Sequence, residues 1–188
     1  ELFDYVELTY FINGIKPSYT DLVMAATAKA LLEHPFANAT FSEKEIQLLT
    51  EVHIGMAVAL EEGLVVPVIR NVDQLALKDI AKESARLASA AREGKLGMDE
   101  MTGGTFTVTA LGMFGVDSFT PIINSPEVGI LGVNRIRDNT KWDGDRPSKQ
   151  QTMTLSLTWD HRALDGAPAA QFLGTIKNYL EAPYRLLV

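Results

Sequence analysis

The sequence contains no cysteine, which removes disulfides, thiolate metal ligands and a thiol nucleophile at once. Histidine is scarce, with three in the whole chain, so imidazole chemistry has few positions to occupy. Basic residues are outnumbered, 17 against 24 acidic ones, and a net charge of -7 disfavours a surface built to follow nucleic-acid phosphates. No apolar run approaches the roughly 18 residues of a membrane span, and no signal-peptide pattern occurs. There is no Gly-x-x-x-x-Gly-Lys phosphate loop, no Gly-x-Gly-x-x-Gly and no Gly-x-Ser-x-Gly elbow. What remains is a chain of 188 residues, 46% hydrophobic, the size of one domain with a substantial core. Since it starts at Glu1 and enters a strand-like stretch directly, it reads as a domain cut from a longer protein.

Periodicity predicts a mixed α and β chain. "FDYVEL" (3–8) alternates as a strand. A helix follows "NGIKPS", with Ser18 and Asp21 placed to satisfy first-turn amides and Leu22, Ala25, Ala26, Ala30 and Leu31 on one apolar face, until Pro35 stops it. "HIGMAVAL" (53–60) and "LVVPVIR" (64–70) read as a hairpin, with Pro67 marking an edge strand or an irregularity. Leu77, Ile80, Ala81, Ser84, Leu87, Ala88 and Ala91 define a second helix over 77–93. Strands are expected at 103–112, at 128–136 in the sheet interior and at 152–160, with a turn at "WDGD" (142–145). A last helix runs from Asp165 and buries Phe172, Leu173, Ile176 and Leu180. Strands and helices do not alternate strictly, so the class is α/β (α+β), helices packed on a mixed sheet.

His34, just before Pro35, is placed to meet the last carbonyls of the first helix, and His53 opens a strand; both read as structural. His161 stands where the strand 152–160 ends, a usual place to present reacting groups. In "DHRALDG" (160–166), Asp165 can cap the next helix and Gly166 allows close backbone approach. The same letters also describe a capped corner with Asp160 and Arg162 paired on the surface, and spacing leaves both readings open. His161 and Asp165 lack a second nearby histidine, so a metal site is not expected. Thr105, Thr107 and Thr109 share one strand face and offer hydroxyls, though alternating threonines are ordinary in strands.

Taken together, "DHRALDG" (160–166), "GGTFTVTALGMFG" (103–115), "FTPIINSPEVGILGVNRI" (119–136), "GLVVPVIRNVD" (63–73) and "HPFANA" (34–39) resemble the catalytic domain of dihydrolipoyl acyltransferases. These are the core components of 2-oxo acid dehydrogenase complexes, and the matches keep family order over almost the whole chain. Chloramphenicol acetyltransferases and peptide-synthetase condensation domains usually place a second histidine where Asp160 stands, so the Asp-His-Arg form points to the dihydrolipoyl branch. The resemblance implies one acyltransferase domain over residues 1–188, a chloramphenicol acetyltransferase-like sheet covered by helices, and a trimer. It also implies active sites between subunits, and trimers joined into a 24-mer or 60-mer core. The implied substrates are coenzyme A and a lipoyl group carried on a separate domain, without a metal. The implied partners are further copies of the chain, the lipoyl domain, and the 2-oxo acid decarboxylase and dihydrolipoyl dehydrogenase components; nucleic acid and membrane are not among them. The compartment would be the cytoplasm in a prokaryote or the mitochondrial matrix in a eukaryote.

In that family scheme His161 is the general base that takes the proton of the coenzyme A thiol. A free thiol with a pKa of ~8.5 is mostly protonated at neutral pH, and an ordinary imidazole near ~6.5 suits the transfer. Thr109 stands where family members carry a serine or threonine that donates to the tetrahedral oxyanion, while Asp165, Arg162 and Gly166 organise the loop. The acyl group is read as acetyl, from "FTPIINSPEVGILG", and "YRLLV" (184–188) as a tail for contacts between trimers or for docking on its own core. Two features depart from the family pattern. The segment between "FDYVEL" and "NGIKPSYTDL" is short, and the arginine-rich stretch that usually precedes the first strand is missing. The alternatives are a catalytically silent core paralogue and a free-standing trimeric acetyltransferase acting on a xenobiotic.

Overall fold

The computed structural model describes residues 15–187, apart from residue 43 and the side chain of residue 187. The strand expected at 3–8 and the short segment after it lie outside the described residues.

Among the described residues, the centre is a five-stranded mixed sheet in the order β6-β3-β7-β8-β9. Its members are β3 (Ile54–Met56), β6 (Val68–Ile69), β7 (Phe106–Ala110), β8 (Gly129–Asp143) and β9 (Arg146–Trp159). β7 runs parallel to β3 and β8, whereas β6 and β9 close the two edges antiparallel. The hairpin expected over 53–70 is split by Pro67: β4 (Val58–Ala59) pairs with β5 (Leu64–Val65) outside the main sheet, and the Pro67 carbonyl accepts the Met56 amide. A proline has no amide to donate; Pro67 lies in the break between β5 and β6, the irregularity its presence predicts, and β6 is an edge strand of the described sheet. A small hairpin of β1 (Ala39–Phe41) and β2 (Ile46–Leu48), for which the sequence carries no alternation, lies beside the start of β8. β8 and β9 also extend past the sheet as a two-stranded ribbon, exposed from Arg137 to Gln151 except for its paired backbone, and "WDGD" forms its tip.

Among the described residues, three α-helices accompany the sheet: α1 (Tyr19–Glu33), α2 (Leu77–Arg92) and α3 (Gly166–Glu181). The Ser18–Asp21 capping box starts α1, with reciprocal bonds of 2.6 and 3.2 Å. α1 is buried on all sides rather than on one face, with Val23 and Met24 as inaccessible as Leu22, because α2, α3 and the sheet enclose it. α2 shows the expected stripe of Leu77, Ile80, Ala81, Ser84, Leu87 and Ala91. α3 reaches the sheet through Phe172, whose ring meets Phe106 edge-on at 5.5 Å. His34 does not bond the last carbonyls of α1 through its ring. Its Nε2 instead meets Thr175 Oγ1 of α3 at 2.9 Å, which ties the two helices together. The chain ends in a short 3₁₀ segment, Pro183–Leu187, where Leu186 packs on the core and Tyr184 stays exposed. No helix among the described residues is long and apolar enough to cross a membrane.

Candidate active site

The corner after β9 is built from its own backbone. The Asp160 amide donates to the Val128 carbonyl at 2.8 Å, and the Asp160 carbonyl accepts from Ala163 and Leu164 at 3.0 and 3.1 Å. Leu164 is buried and pins the turn to the core. The guanidinium of Arg162 grips the Asp160 carboxylate, with a shortest contact of 2.6 Å, and stacks over the Phe41 ring at 3.9 Å. That bond to Arg162 holds the Asp160 carboxyl below the usual carboxylate range. The expected Asp160–Arg162 pair is therefore present, and it stiffens the turn that carries His161.

His161 projects from this turn with its side chain 70% exposed, beside the ring of Trp159. Its Nδ1 lies 3.6 Å from Asp165 Oδ1. Asp165 occupies the N-cap position of α3, yet its side chain makes no capping bond. The side-chain cap that the sequence allows is therefore not formed, and the carboxylate faces the imidazole. At 3.6 Å the contact is an ion-pair distance, suited to attracting an imidazolium and longer than a hydrogen bond. Gly166 opens α3 with clear space around its Cα.

Thr109 lies elsewhere. In register it pairs with Gly132, which pairs with Ser156, five residues before His161 on β9. With about 3.4 Å per residue and about 4.8 Å between strands, Thr109 and His161 of one chain are on the order of 15–20 Å apart. No rotamer of either side chain closes that distance, so one chain brings His161 and Asp165 together and leaves Thr109 at the opposite end of the sheet. Beside Thr109 the sheet carries no side chain at Gly132, and the Phe119 ring covers that position, within 2.8 Å of where a Cβ would stand. Thr105 and Thr107, on the same face, are committed to bonds with His53 backbone and Glu127.

Phe119, Gly132, Trp159 and Glu127 were not singled out from the sequence. The first three are ordinary apolar and small residues there, whereas Glu127 left a signal as a lone carboxylate between apolar runs. Among the described residues, no group of three or more His, Asp or Glu side chains is arranged to hold a metal.

The family model for 2-oxoacid dehydrogenases acyltransferase (catalytic domain) matches residues 7–188. A Bacillus subtilis protein, the dihydrolipoyllysine-residue acetyltransferase component of an acetoin cleaving system, is 47% identical over 93% of this chain and 44% of its own length. The succinyltransferase component of the 2-oxoglutarate dehydrogenase complex from the same organism is 42% identical over 94% of this chain and 42% of its own. The chain thus spans less than half the length of these curated relatives. Dihydrolipoamide acetyltransferase of Azotobacter vinelandii superposes with a TM-score of 0.93 at 38% identity, over all of this chain and 79% of that one. That structure belongs to an investigation of one serine, one histidine and one asparagine in the catalytic mechanism, the serine 52 residues before the histidine and the asparagine 4 after it. The cubic core of a pyruvate dehydrogenase multienzyme complex matches equally, with a TM-score of 0.93 at 38% identity and the same coverage. Chloramphenicol acetyltransferase, at 14% identity and a TM-score of 0.58 over 93% of this chain and 82% of that one, shares the fold alone. By the extent of these matches and by its helix-covered mixed sheet, the chain belongs to the 2-oxoacid dehydrogenase acyltransferase family, of which it carries the catalytic domain.

Proposed function

We propose that this domain transfers an acyl group, acetyl foremost, from acyl-dihydrolipoamide to coenzyme A, and that it forms the oligomeric core of a 2-oxo acid dehydrogenase complex. The observation that carries the assignment of residues is the spacing of its reacting groups. Thr109 precedes His161 by 52 residues and Asp165 follows it by 4, the separations of the serine, histidine and asparagine investigated in the Azotobacter vinelandii enzyme. With Nδ1 turned to Asp165, Nε2 is the nitrogen that takes the proton of the coenzyme A thiol. The thiolate adds to the thioester carbonyl, and the Thr109 hydroxyl donates to the oxyanion, an interaction worth about 3–4 kcal/mol in a measured protease case. Collapse breaks the carbon–sulfur bond to dihydrolipoamide, whose sulfur receives the same proton back from His161. Asp165 favours the transient imidazolium, and Arg162 holds the turn.

The separation of Thr109 from His161 within one chain supports a site completed by a second copy, in a trimer that the cubic core of the pyruvate dehydrogenase relative makes a natural building block. The lipoyl domain and the decarboxylase and dihydrolipoyl dehydrogenase components would be its partners. An acetyl donor is favoured by the Bacillus and Azotobacter acetyltransferases, and the succinyltransferase relative makes succinyl the competing donor. Assays with coenzyme A, dihydrolipoamide and a panel of acyl donors separate them. His161→Ala should lower kcat by at least about 10³-fold with the assembly intact, the scale of removing a general base and its positioning. Near-full activity would remove His161 as the base.

A further inference from the structure

Glu127 has no part in the acyl transfer proposed above, yet it is only 4% exposed. Its Oε2 lies 2.6 Å from Thr107 Oγ1, and its Oε1 accepts from Asn124 Nδ2 at 3.2 Å. Room for the carboxyl depends on Gly104, where a Cβ would come within 2.8 Å of Oε1. The group sits where the sheet divides. Farther along, β8 pairs with β7, but at 126–128 its neighbour is β1: Thr40 bridges Glu127, the Phe41 amide donates to Pro126, and the Val128 amide donates to Ala39. On the other flank the Val128 carbonyl receives the Asp160 amide at 2.8 Å. Arg162 stacks on Phe41 and joins the two flanks. Segment 124–128, β1 and the corner bearing His161 thus form one connected unit, and the bond from Glu127 to Thr107 fastens it to β7.

We propose that Glu127 is a positioning residue for His161, its buried carboxyl fixing segment 124–128 on β7 and so the Val128 carbonyl from which the His161 corner hangs. The proposal rests on the reading of His161 as the base. Burial pushes the Glu127 carboxyl up to about 7, against the opposing effect of its bonds to Thr107 and Asn124. The carboxyl is therefore neutral in mildly acidic solution and becomes a poorly solvated anion as pH rises through neutrality. Glu51 and His53 line the cleft of ≈ 680 Å³ that it borders, Arg70 lies behind Gly103, and Asp160 and Arg162 are paired with each other beyond Val128. Its carboxyl oxygens accept hydrogen bonds from the neutral Thr107 and Asn124, so the ion would meet no counter-charge in those partners.

The test measures kcat and KM for coenzyme A in the full-length assembled protein from about pH 6 to about pH 9, for wild type, Glu127→Ala, Glu127→Gln and His161→Ala. Loss of the fastening should lower kcat of Glu127→Ala by about 10-fold or more, with KM for coenzyme A within about 3-fold of wild type. Glu127→Gln, which keeps a neutral hydrogen-bonding group, should restore kcat to within about 3-fold, and its kcat relative to wild type should rise as pH passes about 7. Should the alanine variant fail to fold, that pH-dependent ratio carries the test. A ratio flat across the range, or a folded alanine variant within about 2-fold of wild type, would overturn the positioning role. An active His161→Ala would instead overturn the underlying assignment of the base, whatever the Glu127 variants do.

Discussion

Glu127 keeps its proton at a pH where an ordinary glutamate has lost it, because burial leaves that carboxyl little water and its hydrogen-bond partners, Thr107 and Asn124, are neutral. A proton held by the folded state and released by the unfolded one makes stability fall with rising pH. The fall begins near the ordinary value of 4.5, ends near the folded value of about 7, and leaves stability lower above it. Glutamine at this position has no proton to lose. The stability of Glu127→Gln relative to wild type should therefore increase between about pH 5 and about pH 8, by on the order of 2–3 kcal/mol at about 1.36 kcal/mol per unit. Urea unfolding at fixed protein concentration reads this directly, and a difference constant over the range would mean that Glu127 titrates like an exposed carboxylate. The sequence marks Glu127 only as a lone carboxylate between apolar runs; its burial follows from the switch of neighbour at 126–128 and from the vacancy at Gly104. The corner carrying His161 was legible, because a strand end, an ion pair two residues apart and a helix start lie within one short stretch. The orientation of Asp165 was not, since an N-cap aspartate can turn to amides or to a neighbour.

At the scale of elements, legibility followed the strength of the periodic signal. α2 has a polar face, so its stripe fixed its limits; α1 is enclosed on all sides, and a one-faced reading of it missed Val23 and Met24. The strands expected at 128–136 and 152–160 continue into the β8–β9 ribbon beyond their predicted limits, because both faces of its outer part are wet and only its backbone pairing makes it strand. β7 and β8 meet at the pair Thr109–Gly132, where the absent side chain leaves the space that the Phe119 ring covers. Gly132→Ala places a methyl group against the far edge of that ring, a half-buried side chain able to swing away. The chain should therefore lose about 1 kcal/mol of stability, the low end of the cost of a small-to-large change, while the wall beside Thr109 is displaced. In the acyl-transfer assay kcat should fall by about 10-fold or more with the unfolding midpoint nearly unchanged. Unaltered turnover would show that Phe119 does not shape the space where the oxyanion forms.

For the whole molecule, the decisive quantity is a distance that sequence separation does not encode. Fifty-two residues from Thr109 to His161 could fold back to contact or lie far apart; the register through Gly132 and Ser156 places them at opposite ends of one sheet. The proposed base, 70% exposed, and the proposed oxyanion donor, on the order of 15–20 Å away, cannot serve one carbonyl within one chain. Two copies related by a rotation axis can supply one group each, and closure of a ring repeats the arrangement at every interface. Complementation tests this. Thr109→Val should lower turnover by about 10²-fold and His161→Ala by more, so each homogeneous assembly is nearly inactive. When the two variants are unfolded, mixed in equal amounts and reassembled, each interface draws its histidine from one subunit and its threonine from another. Random mixing then makes about one interface in four fully competent, and activity should return to about a quarter of wild type. Activity that stays at the average of the two parent variants would mean that both groups come from the same chain, which the register of the sheet could satisfy only through a large rearrangement of the corner after β9.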